Sequence, residues 1–217
     1  MENINEIAAL TFDWGAEDIL KTANNMRGRI ADAKDGSELG RLLDQGLKQI
    51  DFRTGIREQG VMSIVRLIEN ERKKDAEAIL DAYRRDLAEL GRITGRQFEK
   101  AVKTDAQRRG IRIERYRRTK DIWEAAAAEI YPKALKFGTL TLDSIDPAEW
   151  TPITSSPRWW GARNWPAAVY WWCDGMRSLL DIRDMVELEA GCQMKDFDLV
   201  AYFNLLEKHG LAEFADK

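Results

Sequence analysis

The sequence predicts a mainly α-helical protein, with an N-terminal helical bundle or hairpin followed by a C-terminal winged-helix-like α+β module. Three observations predict this fold class. Apolar residues recur at three- and four-residue steps over much of residues 1–131, as they do on amphipathic helices. Prolines and tryptophans are concentrated in residues 132–166, which we interpret as an arm or linker. Capping residues and glycines then divide residues 167–217, the winged-helix-like domain, into short elements.

The helical domain of residues 1–131 is predicted from three amphipathic segments. In the first, SELGRLLDQGLKQI, Ser37 is a candidate N-cap and the leucines share one face. The second, GVMSIVRLIENERKKDAEAILDAYRRDLAEL, is expected to end at Gly91. The third begins at Thr94 and Gln97, which have capping-box spacing, and is interrupted at Gly110. The GRITG turn between the two long segments predicts an antiparallel hairpin that packs within the chain or, alternatively, in a helix-mediated dimer.

The arm of residues 132–166 carries all five prolines and little helical periodicity, so an extended segment is expected rather than a helix. Six of the eight tryptophans lie within residues 150–172. Since indole rings bury large apolar areas, the arm either packs on its own two domains or offers an aromatic surface to a partner protein. The candidate partner contacts are Trp150, Trp159, Trp160 and Trp165.

The C-terminal module is expected to run strand, helix, turn, helix, strand, which is the outline of a winged helix. An apolar strand around Val169 leads to a DG turn signal. Ser178 is a candidate cap of the next helix, with Asp181 three residues later. Asp196 is a candidate cap of the last helix, Gly210 closes it, and LAEF forms the final strand.

The charge of this module argues against DNA binding, which its predicted shape favours. Residues 167–217 contain ten acidic and five basic residues, a net charge of −5. The candidate reading helix, DFDLVAYFNLLEKHG, is itself mostly negative. Such a surface repels the phosphate backbone, which supplies most of the non-specific affinity for DNA. Nucleic acid is therefore disfavoured as a partner of this module.

One basic stretch is the exception. Residues 103–120 carry eight basic and two acidic residues, and on a helix Arg108, Arg112 and Arg115 would share a face. These arginines are candidate phosphate contacts for an alternative function, a winged-helix DNA-binding transcriptional regulator. The other interpretation is a solvated face whose charges are paired with acidic neighbours.

Residues that commonly carry catalysis or bind metals are scarce. The chain has one histidine, His209, and two cysteines, Cys173 and Cys192, without a familiar zinc-ligand spacing. No Walker loop, dinucleotide-binding glycine motif or nucleophile elbow is present. We therefore expect no catalytic residue, metal site or cofactor, although a pair of carboxylates acting as acid and base stays open. The absence of a signal peptide and of a long apolar run predicts a cytoplasmic protein without a membrane span.

Three stretches of the C-terminal half carry a family resemblance: PKALKFGTLTLDSI, SSPRWW, and VYWWCDGMRSLLDIRDMVELEAG followed by DLVAYFNLLEKHGL. Their core is an aromatic run, then DG-x-R-S-L-x-D-I, then E-x-E-x-G. Together they resemble the C-terminal region of bacterial di-zinc aminopeptidases of the leucyl type, most closely over residues 132–214. In that family a zinc-binding α/β catalytic domain can be followed by a helical region and a winged-helix-like end.

The resemblance implies a tail without its catalytic domain, because the metal ligands of that family have no counterpart in this sequence. It favours a non-catalytic protein-interaction or oligomerisation module whose partner is another protein or a second copy of the chain. A further alternative is part of a zinc aminopeptidase whose active site lies on another segment or chain.

Overall fold

The computed structural model describes residues 2–117, 122–136, 140, 142–154, 165–190, 194 and 197–215. It divides into two compact units, Met1–Arg117 and Arg118–Lys217. The described residues form eight α-helices and one two-stranded antiparallel sheet, which confirms the mainly helical fold class. None of the described helices is both long enough and apolar enough to cross a membrane.

Unit 1 is a three-helix bundle, in agreement with the predicted intramolecular bundle. It consists of α1 (Glu2–Ala31), α2 (Gly36–Ser63) and α3 (Lys73–Arg108), each packed against the other two. Asp35 rather than Ser37 caps α2, because its side chain accepts a hydrogen bond from the Glu38 amide at 2.8 Å. The largest fully buried side chains of this unit are Ile19, Met26, Leu39, Leu42, Ile50, Leu80, Leu87 and Phe98.

Two predicted helix boundaries in unit 1 are wrong. The second amphipathic segment is not one helix, because two short 3-10 turns, Ile64–Leu67 and Asn70–Arg72, separate α2 from α3. Conversely, α3 runs through Gly91 and the predicted GRITG turn without a break. Gly91 faces Thr54 of α2, where a Cβ atom would lie 2.2 Å from the threonine Oγ1. This glycine therefore serves close helix packing and does not end the helix.

The predicted interruption at Gly110 is confirmed, and the chain after it is not helical. Gly110 has a φ of +67°, a backbone conformation that favours glycine. Residues 111–117 then return across the start of α2, where the Glu114 amide donates to the Gly36 carbonyl at 3.0 Å. The Arg112 carbonyl lies against Gly36 and the Glu114 carbonyl against Gly40. The segment therefore advances by two residues over a distance that takes α2 four residues. This ratio fits an extended chain, which rises about 3.3 Å per residue, beside a helix, which rises about 1.5 Å per residue.

Unit 2 surrounds a second core. Its elements are α4 (Ile122–Glu129), β1 (Pro132–Ala134), α5 (Pro147–Thr154), α6 (Trp165–Trp171), α7 (Leu179–Ala190), α8 (Leu199–Lys208) and β2 (Ala212–Phe214). β1 and β2 pair antiparallel, with Lys133 opposite Glu213, and an isolated bridge joins Lys133 to Asp174. The core includes Val169, Leu179, Ile182, Leu199, Tyr202, Phe203 and Leu206.

The strand predicted around Val169 is wrong, because this stretch forms α6. Pro166 is the second residue of α6, where the missing amide hydrogen costs no helical hydrogen bond. Val169, Tyr170 and Cys173 are all buried, a spacing that fits one face of a helix and not a two-residue alternation. The predicted extended arm is also partly wrong, since β1 and α5 fold residues 132–154 into unit 2.

The predicted caps of α7 and α8 can be compared directly. Ser178 and Asp181 form a reciprocal capping box, in which each backbone amide donates to the other side chain at 3.1 Å. Asp198 caps α8 by accepting from the Ala201 amide at 2.9 Å, whereas the predicted cap, Asp196, lies outside the described residues. Gly210, with a φ of +62°, ends α8 as predicted.

A buried ion pair connects α4 and α7. Arg183 donates from Nη1 to Glu124 Oε1 at 2.6 Å, and both side chains are almost completely buried. The same guanidinium donates from Nη2 to Asp184 Oδ1 at 2.8 Å. Because an ion taken out of water needs such partners, these contacts fix the position of α4 on α7.

Candidate protein-docking surface

Of the few side chains that could carry chemistry, Cys173 and His209 have structural contacts, whereas Cys192 lies outside the described residues. Cys173 is buried, and its thiol donates to the Val169 carbonyl at 3.2 Å. Burial, together with the nearby Asp174, raises the pKa of this thiol well above its ordinary value, so it is a poor nucleophile. His209 Nε2 lies 3.1 Å from Glu149 Oε2, next to the end of α8. Over the described parts of the chain, no three His, Cys, Asp or Glu side chains are grouped so as to hold a metal ion.

The four candidate tryptophans have different placements. Trp150 lies on α5 and packs against the core of unit 2, with its indole N–H buried and without a hydrogen-bond partner among the described residues. Trp159 and Trp160 lie outside the described residues. Trp165 is the first residue of α6, and its side chain is also outside the described part. Their role as partner contacts therefore stays a prediction.

A neighbouring tryptophan, Trp171, forms an exposed aromatic surface of unit 2. Trp171, the last residue of α6, is 76% exposed. It borders an open groove of about 410 Å³ between α6 and α7, which Ala168, Trp172 and Glu189 also line. Tryptophan is enriched among the residues that carry most of the binding energy of protein interfaces, which makes this groove a candidate docking site.

The wall of this groove is held in place by a chain of polar contacts. The Trp172 indole N–H donates to Glu189 Oε2 at 3.3 Å, which joins the residue that follows α6 to α7. The Arg177 guanidinium lies 5.5 Å from the centroid of the Trp172 ring and is hydrogen-bonded to Asp174. Asp174 Oδ1 also accepts from the Met176 and Arg177 amides, which fixes the turn before α7. These contacts hold the Trp172 ring in place.

Sequence reasoning missed Trp171 as a site residue because it assigned a strand here. Adjacent residues of a strand point to opposite faces, so Trp171 and Trp172 would have been separated. On a helix, adjacent side chains are about 100° apart, and both rings can border one groove. The available signal was Pro166, which is common in the first turn of helices.

The three candidate arginines do not share a helical face, so that part of the prediction is wrong. Arg108 ends α3 and pairs with Asp105 at 2.7 Å, whereas Arg112 and Arg115 lie on the non-helical segment 111–117. All three are exposed. Their neighbour Arg109 has a structural role instead, because its guanidinium donates to the Ile30 and Ala33 carbonyls at the end of α1. Phosphate contact by Arg108, Arg112 and Arg115 stays a prediction.

The chain was compared with protein families, with characterised proteins and with solved structures. No protein-family model, characterised protein or solved structure matches it.

Proposed function

We propose that this chain is a non-catalytic protein-interaction module whose docking surface is the groove between α6 and α7. The observation that carries the proposal is Trp171, which is 76% exposed at the border of a groove of about 410 Å³. Burying such a ring against a partner removes a large apolar area from water, at about 25 cal/mol per Å². Exposed aromatic residues of this kind are the usual anchors of protein interfaces.

The chemistry of the groove selects a partner segment with apolar and basic side chains. The exposed Trp171 face attracts a cation by about 0.5–1 kcal/mol at an exposed site. Glu189 adds a carboxylate to the same groove, and the net charge of residues 167–217 is −5. An arginine or lysine flanked by aliphatic residues therefore complements this surface better than an acidic segment does.

The same proposal gives unit 2 a winged-helix-like arrangement used for protein contact. The succession of α6, the bridge at Asp174, α7, α8 and β2 supports this assignment. The exposed side chains of α8 include Asn204, Glu207 and Lys208, a mixed set that does not favour a phosphate backbone. We further propose that the module serves a catalytic domain on another segment or chain, as the resemblance to aminopeptidase tails implies.

A peptide titration tests the docking proposal. The ¹⁵N-labelled chain is titrated with acetyl-Leu-Arg-Ala-Leu-Arg-amide and, in parallel, with the peptide in which both arginines are glutamate. We expect the indole N–H signals of Trp171 and Trp172 to shift with the arginine peptide alone, with Trp171→Phe identifying one signal. Trp171→Ala is expected to abolish the response.

Met176→Ala is the matched control, because Met176 is 75% exposed but does not line the groove. This variant is expected to bind like the wild type. An equal response to the glutamate peptide, or shifts confined to other tryptophans, would contradict the assigned groove. Stoichiometric zinc together with release of leucine from leucine amide would contradict the non-catalytic assignment.

A second candidate function is binding of nucleic acid by unit 1. It is favoured by the exposure of Arg108, Arg112 and Arg115 at and after the end of α3; of these three, only Arg108 has an ion pair within the described residues. Duplex DNA binding at low and moderate salt tests it, since each phosphate contact adds to the salt dependence. Loss of binding in a variant with all three arginines changed to glutamine would support it, and no salt-dependent binding by the wild type would remove it.

A further inference from the structure

The groove between α6 and α7 combines two indole rings with one carboxylate. Trp171 and Trp172 follow Ala168 at three and four residues, so all three side chains can lie on one side of the helical path. This path continues past the end of α6, because the Trp172 amide donates to the Val169 carbonyl at 3.3 Å. Both indoles line the groove together with the small side chain of Ala168, and Glu189 of α7 adds its carboxylate. Aromatic rings beside a carboxylate favour a cation as ligand.

One of the two indoles already has a cation beside it. The Arg177 guanidinium lies 5.5 Å from the centroid of the Trp172 ring, within the distance at which an aromatic face attracts a cation. Arg177 is not one of the described residues that line the groove, and its charge is paired with Asp174. It therefore leaves the groove open and adds no unpaired charge to it. The second ring, Trp171, is 76% exposed and can be reached by a ligand.

We propose that this groove binds a trimethylated lysine side chain of a partner protein. The proposal rests on the docking function proposed above and specifies the side chain that the groove selects. A quaternary ammonium group between the indoles and Glu189 gains cation–π attraction and charge pairing at the same time. The groove is open and measures about 410 Å³, so it can admit a long side chain that a peptide presents from outside.

The hydrogen bonds that the groove can offer favour the methylated form over ordinary lysine. An unmodified ammonium has three N–H donors, and each donor that leaves water without an acceptor costs free energy. Glu189 Oε2 already accepts from the Trp172 indole N–H at 3.3 Å, which reduces what this carboxylate can offer to a ligand. Trimethylation keeps the positive charge, removes the three donors and adds methyl groups that bury apolar surface against the indoles.

An NMR titration of the ¹⁵N-labelled full chain tests this selection with three forms of one peptide. In acetyl-Leu-Lys-Ala-Leu-amide the lysine is unmodified, trimethylated, or replaced by the uncharged analogue in which carbon takes the place of the quaternary nitrogen. The indole N–H signals of Trp171 and Trp172 report the dissociation constants. We expect the trimethylated peptide to bind at least about tenfold more tightly than either of the others.

Variants of the groove separate the contribution of the charge from that of the ring. Glu189→Gln keeps an oxygen that can accept from the Trp172 indole but removes the charge, so it should weaken the trimethylated peptide several-fold and leave the uncharged analogue nearly unaffected. Trp171→Leu is apolar without an aromatic face and should remove most of the preference for the charged peptide over its analogue. Met176→Ala is the control, because Met176 is 75% exposed outside the groove lining and should keep the preference. Circular dichroism verifies that the variants are folded.

The outcomes distinguish this inference from the docking function on which it rests. Equal affinities for the trimethylated peptide and its uncharged analogue would overturn the cation site, and equal affinities for trimethylated and unmodified lysine would overturn the selection. If none of the three peptides binds while the arginine peptide does, only the present inference fails, whereas failure of all four contradicts the docking function as well. Choline that binds as tightly as the trimethylated peptide would overturn the assignment to a protein side chain.

Discussion

At the residue scale, close helix packing in unit 1 depends on glycines inside the helices. The sequence pattern had predicted a helix end at one of them, Gly91. Gly91 of α3 lies against Thr54 of α2, and Gly46 of α2 lies against the Phe98 ring of α3. A Cβ atom at Gly46 would be 2.4 Å from that ring. A glycine in a helix interior lowers the stability of the helix by about 1 kcal/mol relative to alanine. At Gly46 and Gly91 the closer packing of α2 and α3 offsets this loss.

Gly91→Ala is therefore expected to destabilise the protein although alanine is the better helix former. The new Cβ would lie 2.2 Å from Thr54 Oγ1, which is buried and donates to the Ile50 carbonyl. Overpacking of this kind costs about 1–3 kcal/mol. Gly95→Ala, one turn later, meets only Leu47 at 3.8 Å and is expected to be neutral or stabilising. Thermal unfolding followed by circular dichroism measures both, and a stable Gly91→Ala variant would contradict the close approach.

At the element scale, one carboxylate links α5 to α8. Glu149 accepts from Lys208 Nζ at 2.5 Å and lies 3.1 Å from His209 Nε2. The Lys208 ammonium, followed by the His209 ring, holds the pKa of Glu149 below its ordinary value. A group whose pKa is lowered by folding stabilises the folded state above its unfolded pKa and loses that effect as pH falls through the folded pKa.

We therefore expect the contact between α5 and α8 to weaken below about pH 4.3, the ordinary pKa of glutamate, and to be insensitive to Glu149 titration above pH 5. The indole N–H signal of Trp150, on α5, reports this change in an NMR pH titration. Glu149→Gln should lower the pH dependence of that signal. Identical titration curves for the two proteins would show that the contact does not depend on the carboxylate.

The position of segment 111–117 depends on glycines of α2, because a Cβ atom at these positions would clash with the backbone of the segment. A Cβ atom at Gly40 would lie 1.9 Å from the Glu114 carbonyl oxygen, so Gly40→Ala is expected to displace the segment. Trypsin should then cleave faster after Arg112, Arg115 and Arg117. Gly55→Ala, on the same helix with open space around its Cβ, is the control and should be cleaved like the wild type. Equal cleavage of both variants would mean that Gly40 does not hold the segment.

The same elements explain how far the sequence could predict the structure. Amphipathic spacing located the first half of α2 and most of α3, and local capping chemistry located the start of α7 and the end of α8. The errors arose where tertiary contacts decide: a neighbouring helix explains Gly91, and burial of Val169 and Tyr170 on one face explains α6. Trp171 was missed because a strand was assigned to this stretch, and the groove beside it is completed by Glu189 of α7.

At the scale of the whole molecule, each unit has its own buried core. The core of unit 1 comes from α1, α2 and α3, and that of unit 2 from elements between α4 and β2. The units span about 117 and 100 residues, more than the roughly 60 residues at which many domains fold alone. Substitutions in one unit can therefore be made without changing the core of the other.

We accordingly expect residues 1–117 and 118–217 to fold when each is produced alone. Each should show one cooperative thermal transition, with a heat-capacity change of about 12–15 cal/mol/K per residue. Leu87→Ala, in the core of the first unit, should lower the midpoint of that fragment by removing buried methyl groups at a cost of about 2–5 kcal/mol. Differential scanning calorimetry compares the fragments with the full chain. A fragment without a cooperative transition would mean that its core needs the other half, because a self-sufficient core melts as a unit.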